Sequence, residues 1–109
     1  MFIARWQFTA KFGKMEDCVQ LLRKWEVDVG QRIGWRPGAV RLLTGFVGGA
    51  ESDVEFEVLF DNLTDLENAW NDRERNPHHR EYMKMLEPVI VSGTNRWTIL
   101  REDTVAPAK

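Results

Sequence analysis

A single cysteine, Cys18, is the only thiol in the chain, so no internal disulfide can staple the fold. No apolar run reaches the roughly 18 residues that a membrane-crossing helix needs. The sequence does not open on a cationic stretch followed by an apolar one, as a secretory leader would. From these absences we expect a cytoplasmic protein with no membrane partner. An excess of either charge is missing too. Fifteen basic residues face 17 acidic ones, for a net charge of −2 spread along the chain. With no basic block to neutralise a run of phosphates, nucleic acid is not expected as a partner. Tyrosine occurs once and histidine twice, so chemistry resting on those groups has few positions to occupy.

What the chain has is apolar bulk. Hydrophobic residues make up 43% of its 109 positions, and they include five Trp and six Phe. That is enough for one domain of this size to bury a substantial core. Disorder is excluded except at the ends. The domain is expected to span 1–103, and the tail "TVAPAK", 104–109, to fray. Cys18 lies among apolar helix positions and reads as core.

The pattern of that bulk gives the order of elements. Residues 2–9, "FIARWQFT", alternate: Phe2, Ala4, Trp6 and Phe8 on one face, Ile3, Arg5, Gln7 and Thr9 on the other. From Met15 the period lengthens. Met15, Cys18, Val19, Leu22, Trp25, Val29 and Ile33 form a helical stripe that ends in the "GWRPG" turn, 34–38. Residues 39–47 alternate again, with Val40, Leu42, Thr44 and Phe46 together. After the flexible connection 48–53 comes a strand with Val54, Phe56, Val58 and Phe60 on one side.

Thr64-Asp65-Leu66-Glu67 has the form of a capping box and opens a second helix. Asn76-Pro77 breaks that helix and can restart it, with Asn76 as cap and Pro77 in the first helical position. Residues 89–91 are a short strand or a bend, and 96–100, "RWTIL", are the last strand. Strand, helix, strand, strand, broken helix, strand is the α+β, ferredoxin-like βαββαβ order, with helices on one face of an antiparallel sheet.

The other face of that sheet is not cleanly polar. It would carry Ile3, Leu43, Val47, Leu59 and Leu100 beside Arg5, Arg41, Glu55 and Glu57. Each aliphatic side chain left in water forgoes about 1.5–3 kcal/mol of burial. A cluster of them points to a covering partner, here a second copy of the chain. Arginine and glutamate pairs across neighbouring strands would make covering the face less costly.

The plan resembles the dimeric α/β-barrel superfamily, whose ferredoxin-like subunits pack sheet to sheet. It is most similar to the small antibiotic-biosynthesis-monooxygenase-like and NIPSNAP-like proteins. The residues carrying the resemblance are "RWQFTAKFGKMEDCVQLL", "DNLTDLENAW" and "NPHHREYMKMLEPVIVSGTNRWTIL". It implies a homodimer and an aromatic pocket between sheet and helices. Cofactor-free members oxidise electron-rich polycyclic phenols in such a pocket, aided by a base or polar group and by exclusion of water. Carried onto this chain, the pocket falls among Trp6, Phe8, Phe56, Trp70 and Trp97, with His78 or His79, Tyr82 and Gln7 as polar groups. No cofactor is implied. Haem-degrading relatives carry an Asn on the first strand and a His in the second helical region. This chain has Gln7 and Met83 there, a departure that argues against haem.

The histidines also have a reading of their own. Behind Pro77 they take the second and third helical positions, where free N–H groups and the helix dipole favour neutral imidazole. A neutral ring could accept a proton or a hydrogen bond from a phenol or enol. Neighbours on a helix point about 100° apart, so at most one of them faces inward. Either one tops the core while the other is solvated, or at least one serves a site. An i, i+1 pair cannot chelate one metal ion, and Glu81 alone does not complete a set, so no metal is expected. No Ser-His-Asp arrangement or phosphate-cradling loop is visible. "GFVGG", 45–49, lacks the helix a dinucleotide site needs. Glu55 and Glu57, about 7 Å apart on one strand face, suit either paired acid catalysis or ion pairs with Arg5 and Arg41.

Two functions remain open at this point. One is a cofactor-independent monooxygenase acting on an aromatic or polyketide-like substrate. The other is a non-catalytic dimeric module that binds a hydrophobic metabolite or serves as a structural subunit.

Overall fold

The structure, a computed structural model, describes residues 1–103 and 105. The frayed tail expected at 104–109 lies, apart from Val105, outside the described residues. The strands are β1 (Phe2–Thr9), β2 (Val40–Thr44), β3 (Asp53–Phe60) and β4 (Arg96–Arg101). The helices are α1 (Met15–Asp28), α2 (Leu63–Arg75) and α3 (Pro77–Leu86). The sheet runs β2-β3-β1-β4, and every neighbouring pair is antiparallel. This is the ferredoxin-like arrangement.

β1 is a central strand, and its alternation decides the layers. Ala4, Trp6 and Phe8 are buried with Val54, Phe56, Val58 and Phe60 of β3. The register sets Trp6 beside both Phe56 and Trp97. Onto this face α1 brings Cys18, Leu22 and Trp25, while α2 and α3 bring Leu66, Ala69, Tyr82 and Leu86. Cys18 is a buried free thiol. Among the described residues no helix is long and apolar enough to cross a membrane.

Three local expectations need correcting. The first helix does not run on to residue 33. α1 stops at Asp28, and a 3-10 turn over Gly30–Arg32 redirects the chain so that Val29, Ile33 and Trp35 still reach the core. The cap of α2 is Asn62, not Thr64. The Asn62 side chain accepts from the Asp65 N–H at 2.8 Å, so the helix starts earlier than the Thr64 box would place it. β2 ends at Thr44, and Phe46 stands in solvent rather than continuing the alternation. Gly45 is the reason: a Cβ there would sit 1.7 Å from the Ala50 carbonyl oxygen, a close approach that closes the hairpin and leaves room only for glycine. The restart of α3 is as expected, with Asn76 accepting from the His78 N–H at 2.9 Å.

The open face carries one polar network across all four strands. Arg41 and Arg5 both bind Glu57; Arg5 and Gln7 bind Glu55; Arg96 binds Gln7. Glu57 is thereby covered to 6% exposure although it faces away from the helices. Burial pushes Glu55 up, but the Arg5 hydrogen bond and those of its neighbours outweigh it and hold the carboxyl below its usual value. Both glutamates are ion-paired, so the salt-bridge reading of Glu55 and Glu57 fits the geometry. Around this network Leu43 and Leu100 remain 40% and 38% exposed.

At the end of α1 lies a carboxyl of the opposite kind. Both oxygens of Glu26 are shut off from solvent with no hydrogen-bond partner among the described residues. The group folds over Gly30, where a Cβ would come within 2.5 Å of Oε2. Burial pushes its pKa from 4.5 up to about 7. Between those values the folded chain holds a proton that the unfolded chain has lost, so Glu26 costs stability as pH rises through that window. Glu26→Gln is expected to raise stability at pH 8 by about 1–2 kcal/mol and to change little near pH 4. Urea unfolding at the two pH values checks this.

Candidate functional site

Between the helices and the sheet lies a cavity of about 140 Å³, lined by Trp6, Leu22, Trp25, Trp35, Phe56, Arg73, His79, Met83, Asn95 and Trp97. Its floor is the central sheet, where even-numbered β1 residues meet even-numbered β3 residues. Its roof comes from α1 and α3. His79 and Met83 are one turn apart, so both reach it from the same stripe. The volume matches the roughly 150 Å³ cavity known to take one benzene ring.

The aromatic walls are mutually packed. Trp25 meets Trp35 edge-on at 4.7 Å and Phe56 at 5.9 Å. Trp97 stacks on Trp6 at 6.2 Å and takes Trp70 edge-on at 5.6 Å. The Arg73 guanidinium lies 5.9 Å from both the Trp70 and Trp97 rings, a double cation–π contact. Its Nε and Nη2 also reach Glu74 Oε1, a carboxylate that is itself mostly exposed.

His79 is tied to this wall by one bond. The Trp25 indole N–H donates to His79 Nδ1 at 3.0 Å. An indole nitrogen can only donate, so Nδ1 must be free of hydrogen and Nε2 carries the ring proton. Burial pushes the His79 pKa down, and the nearby Arg73 charge adds to that while Glu74 opposes it. His79 is therefore a neutral ring that presents an N–H. The buried indole Nε1–H of Trp35, a lining residue, has no partner among the described residues, and neither has that of Trp70 behind Trp97. A buried N–H left unpaired costs about 1–3 kcal/mol.

The remaining residues expected at a pocket lie around this cavity to different degrees. Trp6, Phe56, Trp97 and His79 line it together, and Trp70 packs behind Trp97. Phe8 is in the core further along β1. His78 is exposed, with its Nδ1 3.7 Å from Glu81. Tyr82 does not line the cavity: its hydroxyl donates to Asp28 and ties α3 to α1. That hydrogen bond, with burial, pushes the Tyr82 pKa up to about 12. Gln7 lies on the opposite sheet face within the Glu55 and Arg96 network, because odd residues of β1 point away from the helices.

Leu22, Trp25, Trp35, Arg73, Met83 and Asn95 entered the lining without being singled out in the sequence as pocket residues. Two signals were available. Met83 is four residues past His79, and Arg73 three past Trp70, each pair sharing a helix face. Nothing local marks Trp35, which comes in from a turn.

Other hollows are broader and more open. One of about 420 Å³ on the open sheet face runs from Gln7 and Glu55 to Leu43 and Arg96. Another, about 340 Å³, is formed by residues 74–77 with His79 and Arg80. His79 thus stands between the cavity and this outer hollow.

Neither a protein-family model nor a curated protein sequence matches the chain. Solved structures do match. A NIPSNAP family protein of Agrobacterium tumefaciens is similar at TM-score 0.77 and 16% identity, over 99% of this chain and 98% of that one. A NIPSNAP-like domain protein of Burkholderia xenovorans is similar at TM-score 0.79 and 14% identity, over 98% and 89%. A putative antibiotic biosynthesis monooxygenase of Nitrosomonas europaea is similar at 0.64 and 11%, over 94% and 98%. The chain has their fold. At these identities the likeness carries no residue's role across.

The Trp25–His79 bond makes its own prediction. Protonating His79 would set two donors against each other, and its folded pKa lies below 6.5. In such a case the unfolded chain gains the proton first, so stability falls as pH drops below that value. His79→Gln keeps an acceptor for the indole and removes the titration. Denaturant unfolding at pH 7.5 and 5.5 should show a smaller acid loss in the variant than in the parent. The Glu26 contribution is common to both proteins and cancels. Equal losses would mean that His79 does not titrate as described.

Proposed function

We propose that the protein binds a single-ring phenol or enol in the cavity between helices and sheet and supports its oxygenation without a cofactor. The observation that carries this reading is the Trp25 N–H···Nδ1 bond, which leaves His79 as a fixed neutral donor at an aromatic cavity. A donor beside a cation stabilises the ionised form of a phenol, and the phenolate is the form that gives electrons to dioxygen. In the reaction a ring C–H para to the hydroxyl becomes C=O. One oxygen atom stays on that carbon, and the other leaves as water with the ring and hydroxyl hydrogens. The size of the cavity favours one ring over the polycyclic substrates that the family resemblance suggests.

One observation favours a second reading, binding without turnover. The Nδ1 acceptor is already occupied by Trp25, and no carboxylate lines the cavity, so the ligand's proton would have to leave to solvent. Resorcinol separates the two readings. Oxygen uptake with formation of a hydroxyquinone, reduced at least about tenfold in His79→Phe, supports the oxygenase. Quenching of tryptophan fluorescence by resorcinol without oxygen uptake supports the binding module. Neither response would remove the cavity from consideration for this class of ligand.

We also place the protein in the cytoplasm, as a homodimer joined through the open sheet face. The free buried thiol of Cys18 suits a reducing compartment. The half-exposed Leu43 and Leu100 beside an ion-pair network suit a face that is covered in the assembled protein. Native mass spectrometry is expected to give a dimer, and Leu43→Glu a folded monomer. A monomeric parent at micromolar concentration would overturn the assembly.

A further inference from the structure

The polar groups around the cavity are unusual in kind. His79 offers Nε2–H, Trp35 offers an indole N–H with no partner, and Arg73 offers the guanidinium protons that Glu74 does not use. Among the described residues, Asn95 is the one lining side chain with a free strong acceptor, and no carboxylate or hydroxyl is present in the lining. A phenol or enol meets these donors through its oxygen alone, and only Asn95 offers an acceptor for its proton. A ligand bringing acceptor oxygens and a negative charge would satisfy the orphan donor and neutralise the cation.

We propose that the ligand of this cavity is a single-ring aromatic acid, bound as its carboxylate with the oxyanion at Arg73, His79 and Trp35 and the ring among Trp6, Trp97 and Phe56. This rests on the reading of the cavity as a ligand site. It goes further in naming the charge and the head group. The volume of about 140 Å³ admits one ring. A buried carboxylate needs both a cation and hydrogen bonds to offset its lost hydration, and Arg73, His79 and Trp35 all belong to one lining.

Trp25 acts here as a positioning residue. It touches the ligand's wall, but its decisive contact is with His79. Without the indole donor the imidazole could place its proton on either nitrogen, and the donor at Nε2 would no longer be obligatory.

Isothermal titration calorimetry of the full chain at pH 7 with benzoate and with benzamide, its neutral isostere, tests the proposal. Benzoate is expected to bind at least about tenfold more tightly than benzamide. Glu74→Gln removes an exposed competitor for the guanidinium and should tighten benzoate about two- to threefold while leaving benzamide unchanged. Arg73→Gln should bring the two ligands to within about threefold of each other. Trp25→Phe should weaken benzoate more than benzamide. Equal or tighter binding of benzamide by the parent would overturn the acid as ligand and leave the cavity standing as a neutral-ligand site. Heat of binding from neither compound would overturn the acid and the ligand site together.

Discussion

Every residue of β1 is committed by the pleat to one of two faces, and β1 has a neighbour on each side. That single constraint orders the rest of the molecule. Even positions place Ala4, Trp6 and Phe8 against the helices, and odd positions place Arg5 and Gln7 in the opposite layer. Because helices cover only one face, the two layers live in different environments and carry different chemistry. The aromatic cavity belongs to one and the four-strand ion network to the other, and the sheet keeps them apart.

Within the helical layer the site depends on a bond between two elements far apart in the chain. Trp25 comes from α1 and His79 from α3, and the broken second helical region is what lets α3 point its first turn at α1. Asn76 and Pro77 start that turn anew, so His79 sits close to a helix end rather than inside a long helix. A continuous helix through 76 would carry His79 on a different axis. The break is thus a placement device as well as a stop. Tyr82 serves the same pair of helices through Asp28, which accounts for its burial without any part in the cavity.

The ionisable groups divide along the same lines. Glu55 and Glu57 sit among arginines as ion-pair partners on the open sheet face. Glu26 has no such partner, and burial alone raises its pKa. His79 is held neutral from two directions, by burial and by an indole that can only donate. These are three outcomes for polar groups near a sheet. In each case the neighbours decide, rather than the residue type.

Much of the fold was legible in the chain. Period-two alternation over 2–9 and 54–61 placed two strands, and the Asn76-Pro77 pair placed the restart of a helix. Four of the residues that the family resemblance implied for a pocket, Trp6, Phe56, Trp97 and His79, line the cavity. Gln7 was assigned to the pocket against its own parity, and Trp35 was passed over, because a turn has no period from which a direction can be read. Sequence by itself determined the order of elements and the face to which each strand residue belongs, since both depend on local steric repeats. Only the tertiary structure decided that Trp25 would meet His79, that Arg73 would lie between two indoles, and that Tyr82 would turn to Asp28. Those contacts join residues from separate elements, and their distances depend on how the helices pack across the sheet, which no local pattern encodes.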